Sequence, residues 1–127
     1  LNNQLEKAIG LEEQSLEILQ HYYQQNPDQR ADSYTTSLSE LANSYRKNNQ
    51  LEKAIGLEEQ SLDILQHYYQ QNPEQWAKTY TTSLNNLATS YKENNQLEKA
   101  IGLEEQSLDI LQHYYQQNPE QWAKTYT

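Results

Sequence analysis

The chain has 127 residues, no cysteine, 9 basic and 18 acidic side chains, and a net charge of −9. That length fits one domain, the lack of cysteine excludes disulfide and thiolate chemistry, and the acidity opposes binding to phosphate backbones or anionic lipid heads. No apolar run reaches the ~18 residues of a membrane span, so neither nucleic acid nor membrane is an expected partner, and a reducing cytoplasmic setting is the expected location.

The acidity belongs to a period. Residues 5–50, 51–96 and 97–127 carry −3 each, residues 5–50 and 51–96 agree at 36 of 46 positions, and 97–127 repeat 51–81 throughout. Recurrence on this scale points to stacked supersecondary units. The expected fold is all-α, an α-solenoid of antiparallel helix pairs with a 46-residue period. In chain order, 1–27 is helix B of a truncated unit, 28–73 and 74–119 are full units of helix A and helix B, and 120–127 starts a further helix A. The whole is read as one array cut from a longer one.

Helix B is clearest over 96–116, where Leu97, Ala100, Ile101, Leu108, Leu111 and Tyr115 recur at helical spacing and predict the buried face. Asn95 with Glu98 three residues on has capping-box spacing, repeated at Asn49/Glu52 and Asn3/Glu6. Gly10, Gly56 and Gly102 interrupt it, either for a close helix approach or through drift on an exposed face. Helix A spans Pro73 to about Lys92, with Ala77, Tyr80, Leu84, Leu87, Ala88 and Tyr91 on one face. Asn72 is its predicted cap, Pro73 its first residue and Gln75 the closing member of the box. The short link "KENNQ" makes A and B antiparallel neighbours.

The motif His-Tyr-Tyr, at His21, His67 and His113, invites an acid/base reading with Tyr68 or Tyr69. A catalytic set is assembled once, whereas this one recurs with the period, so the expected role is structural. Equivalent helices lie roughly 8–10 Å apart or more, too far for the histidines to share a zinc ion. No nucleophile triad or phosphate loop is present. We expect no enzyme activity, catalytic residue, metal or cofactor.

The stretch "LNNLATSYKENNQLEKAIGLEEQSLDIL" (84–111) resembles a tetratricopeptide repeat. Leu84, Leu87, Ala88 and Tyr91 fall on its helix A signature, and Leu97, Ala100, Ile101, Ser107 and Leu108 on its helix B signature. The resemblance implies a right-handed superhelix with Ala88, Ala100 and Ser107 small where helices cross. Two features depart from the usual pattern: a period of 46 against ~34, and Glu104 where the family has an aromatic in mid-helix B. The long unit is similar to the extended repeats of kinesin light chains and of bacterial signalling proteins, with about one further helical turn in "AKTYTTSLNNLA" (77–88).

Of the ten differences between units one and two, nine lie in block 28–47 and one, Glu17/Asp63, in helix B. From Asp32/Lys78 through Lys47/Glu93 they trace a single helical stripe, either by diversification of a groove or by neutral drift. The resemblance implies a concave, peptide-binding surface there. The candidate residues are Thr36, Ser39, Glu40, Asn43 and Arg46 in unit one, and Thr82, Asn85, Asn86, Thr89 and Lys92 in unit two. Asparagine amides can match a peptide backbone, and Arg46 and Lys92 can meet carboxylates. The expected function is a protein-interaction scaffold binding a protein or peptide ligand. The alternatives are a structural spacer that self-associates end to end, or the regulatory or sensor segment of a larger signalling protein.

Overall fold

A computed structural model describes residues 3–117 and 119. Among them it contains five α-helices and no strand: α1 (Asn3–Gln25), α2 (Pro27–Lys47), α3 (Leu51–Gln71), α4 (Pro73–Glu93) and α5 (Leu97–Gln117). Helices α1, α3 and α5 are the helix B type, and α2 and α4 the helix A type. The further helix A start expected at 120–127 lies outside the described residues. The chain forms two compact units, residues 1–65 and 66–127.

The links follow from local chemistry. A residue before proline is driven out of helical conformation, and Asn26 and Asn72 take φ −148° and −144° ahead of Pro27 and Pro73. Helix B therefore ends and helix A begins across one residue. The asparagines occupy the cap as expected, but their amides donate to the side chains of Gln29 and Gln75, both at 2.9 Å. The box closes between side chains, and neither asparagine side chain bonds the backbone.

The return link corrects the sequence reading. Asn49 and Asn95 are not helix caps: both have φ 61°, the left-handed region that asparagine tolerates best after glycine. Asn95 N–H donates to the Lys92 carbonyl at 3.1 Å and Gln96 N–H to that of Tyr91 at 2.7 Å, with the same pair of bonds at Asn49 and Gln50. This is a Schellman stop, which satisfies the last carbonyls of helix A. It moves the start of helix B to Leu51 and Leu97, so the spacing to Glu52 and Glu98 forms no capping box. Asn3 is itself helical.

In unit one, α2 packs between α1 and the first part of α3. Ile9 of α1 meets Leu41, Ala42 and Tyr45 of α2 and Ala54 of α3, with Leu5, Leu16 and Leu57 around them. Residues late in one helix meet residues early in the next, as in Tyr23 with Tyr34, so neighbours are antiparallel. In unit two, Ala77 of α4 packs on Leu111 and Tyr114 of α5, with Tyr69 of α3 beside them. Leu38, Leu84, Ala88 and Ala100 are fully enclosed. Each buried leucine contributes roughly 1.5–3 kcal/mol.

The predicted helix B face needs a correction. Ala100, Ser107 and Leu111 are buried, with Tyr114 buried more deeply than Tyr115, but Leu97, Ile101 and Leu108 are 60%, 52% and 46% exposed. Their equivalents in α1, Leu5, Ile9 and Leu16, lie under α2. The three glycines have nothing within 4 Å of an added Cβ, which removes close approach as their reason.

These two environments predict opposite responses to an added methyl or isobutyl group. Ala88→Leu should overpack the helix crossing and lower stability by about 1–3 kcal/mol, whereas Gly56→Ala should raise it by up to about 1 kcal/mol. Chemical denaturation of the two variants checks both signs.

Candidate peptide-binding surface

Helix A divides sharply by exposure. Its buried positions, Ala31, Tyr34, Thr35, Leu38, Leu41, Ala42 and Tyr45, are identical at Ala77, Tyr80, Thr81, Leu84, Leu87, Ala88 and Tyr91. The nine differing positions avoid that core in both helices. Thr36, Glu40, Asn43, Thr82, Asn85, Asn86, Thr89 and Lys92 are exposed, while Ser39 and Arg46 are half-buried. Each set of five thus shares one face of its own helix.

Several of these side chains already have partners. Arg46 reaches Glu58 of α3 at 3.4 Å and donates to Asn43 at 3.3 Å; Lys92 meets Glu104 of α5 at 2.5 Å. The cations expected to await an external carboxylate therefore bind a carboxylate of the chain itself. The Arg46 pair is the better shielded, with Glu58 only 5% exposed. The Thr89 hydroxyl donates back to the Asn85 main-chain carbonyl at 3.0 Å, and the Asn85 and Asn86 side-chain amides have no partner among the described residues.

Other residues, not singled out in sequence, hold this face in place. Gln60 donates to the Tyr34 hydroxyl at 2.9 Å and Gln106 to that of Tyr80 at 2.8 Å, linking each helix A to the helix B after it. The rings of the same tyrosines stack on Tyr23 and Tyr69 with centroids 4.8 Å apart, linking it to the helix B before. Tyr45 donates to Glu13 of α1 while Lys53 of α3 lies over its ring at 5.4 Å. The only trace of these contacts in the sequence is recurrence with the period.

The His-Tyr-Tyr motif resolves into packing. His21, His67 and His113 are exposed, and each lies within hydrogen-bond distance of the glutamine one turn on, at 3.3–3.4 Å. The first tyrosine is buried at Tyr68 and Tyr114, and the second stacks on helix A at Tyr23 and Tyr69. Among the described residues no group of three His, Cys, Asp or Glu side chains is placed to hold a metal ion, and no helix is long and apolar enough to cross a membrane.

A family model for the tetratricopeptide repeat matches residues 35–73 and 81–119. The chain belongs to the tetratricopeptide repeat family. No curated protein matches it. The matched repeats sit one 46-residue period apart, each running from within helix A through the end of helix B. Residues 74–80, between the matches, occupy the first two turns of α4. Glu58 and Glu104, at the family's aromatic position, replace ring packing by an ion pair to the end of helix A.

Burial raises the tyrosine pKa values at Tyr23, Tyr34, Tyr80 and Tyr114; at Tyr45 burial, together with the bond to Glu13, pushes it up to about 12. The folded state therefore favours the protonated phenol, a contribution present in full below pH ~10 and lost as pH rises from 10 toward 12. Melting temperature should hold up to about pH 9.5 and fall steeply above 10, and Tyr45→Phe should flatten that fall. A thermal series from pH 8 to 12 on both proteins measures it.

Proposed function

We propose that the chain is a protein-interaction scaffold that binds a peptide segment of another protein on the exposed helix A faces. Thr36, Ser39, Glu40, Asn43 and Arg46 form one patch, and Thr82, Asn85, Asn86, Thr89 and Lys92 the other. The observation that carries this reading is where the copies differ. Buried helix A positions are identical, the exposed helix A face varies, and the exposed helix B face, with as much access to solvent, hardly changes.

Asn85 and Asn86 supply donors and acceptors for a peptide main chain. The ion pairs at Arg46 and Lys92 fix the rim of each patch and leave its middle uncharged in unit two. Several weak contacts on one support add through effective concentration. The cysteine-free composition suits the cytoplasm, where we place the protein.

The test starts from peptides selected from a random library on the 127-residue chain. Asn86→Ala with Thr89→Ala should weaken the selected peptides by about fivefold or more, roughly 1 kcal/mol, with unchanged melting temperature. Peptides that bind this variant as tightly as the parent would place recognition elsewhere.

A further inference from the structure

The cations of the two helix A patches, Arg46 and Lys92, are spent inside the chain. Arg46 pairs with Glu58 at 3.4 Å and donates to the Asn43 side chain, and Lys92 pairs with Glu104. Neither patch therefore keeps a free cation for a ligand carboxylate. The charge left over in unit one is negative. Glu40 is exposed and its carboxylate has no ion pair or hydrogen bond among the described residues, and the same holds for the carboxylate of Asp32, two turns earlier.

Two free hydroxyls stand beside Glu40. Thr36 neighbours both Ser39 and Glu40, three and four positions on along the helix surface. Thr35, Thr81 and Thr89 turn their hydroxyls back onto the main chain. The Thr36 hydroxyl does not, and neither it nor that of Ser39 has a partner among the described residues. One turn of α2 thus offers a carboxylate and two hydroxyl oxygens as acceptors, and an ammonium group has three donors and no acceptor. Lys47, at the end of α2, lies seven positions beyond Glu40, roughly 10 Å along the helix axis, and is screened at that distance.

The second copy supplies an independent observation. Positions 32, 36 and 40 form one row on α2, occupied by Asp, Thr and Glu; the same row on α4 is Lys78, Thr82 and Asn86. Two negative charges become one positive charge, while the threonine between them stays. Thr82 and Asn86 are exposed as Thr36 and Glu40 are, so the copies differ in chemistry and not in access.

On the reading that the helix A faces bind peptide, we propose that the unit-one face is a site for a basic side chain of that peptide. Glu40 pairs with the cation, Thr36 and Ser39 accept its remaining hydrogen bonds, and Asp32 adds attraction from the turn before. The unit-two face rejects a basic residue at the equivalent place, because Lys78 repels it and Asn86 offers no charge. Residues 40 and 86 are then the specificity-determining pair, and the ligand is cationic although the patches contain Arg46 and Lys92.

The probes are peptides selected from a random library on a chain carrying Asn86→Ala and Thr89→Ala, which disables the unit-two face; further substitutions are made in that background. Lysine or arginine should be enriched at one position of the selected peptides. Glu40→Gln should weaken them about fivefold with no change in melting temperature. Glu52→Gln removes the same charge from an exposed site on α3 and should alter affinity by less than about twofold, which separates the site from general attraction to an acidic protein. Enrichment of acidic residues, or basic peptides that ignore Glu40→Gln or lose as much with Glu52→Gln, would overturn the cation site and leave peptide binding standing. A library that yields no binder would overturn both.

Discussion

A helix B of this sequence carries two apolar stripes, and one neighbouring helix can cover only one of them. The stripe of Leu5, Ile9 and Leu16 is covered by α2 in unit one, and the stripe of Ile110, Leu111 and Tyr114 accepts α4 in unit two. Covering both calls for a helix A on each side, so burial is a property of stacking and no single helix pair can complete it. Helix A carries the matching demand. It is enclosed at Ala31, Leu38 and Ala42 in α2 and at Ala77, Leu84 and Ala88 in α4, and its tyrosines bond or stack in two directions.

This constraint accounts for where polarity appears in the core. An aromatic in mid-helix B would fill the crossing by volume; glutamate at positions 58 and 104 fills it by charge and ties down the end of helix A. The ion pairs join the terminal turn, where a basic residue also favours the helix dipole. Helix A is thus held at its start by stacked tyrosines and at its end by a carboxylate. The exposed face between those points is free to vary without cost to the core.

Much of this was legible in the sequence, and the failures have definite physical causes. Helix extents and the Pro73 start follow from period and cap chemistry, and the small residues Ala88, Ala100 and Ser107 are what the tetratricopeptide resemblance implies. The Asn-Gln links misled because asparagine suits both a helix cap and a left-handed stop, and only the backbone geometry at Asn49 and Asn95 separates the two. Leu97, Ile101 and Leu108 were expected inside because their spacing is right. Yet α3 and α5 have the same sequence, and Ile55 is 8% exposed against 52% for Ile101. No property of a helix by itself can encode that difference. The partners of Arg46 and Lys92 were hidden for the same reason, since Glu58 and Glu104 become neighbours only when the helices pack.

That sequence identity supplies the most direct test of stacking as the source of order. Residues 5–16 and 51–62 are the same twelve residues, on α1 with one side open and on α3 with Ala54, Ile55, Glu58 and Ser61 buried. Hydrogen exchange of the two segments compares one sequence in two settings, so intrinsic helix propensity cancels. The account predicts protection in 51–62 at least tenfold above that in 5–16, about 1.4 kcal/mol of additional opening free energy. Equal protection in both segments would contradict it, because order would then reside in the helix itself and not in its neighbours.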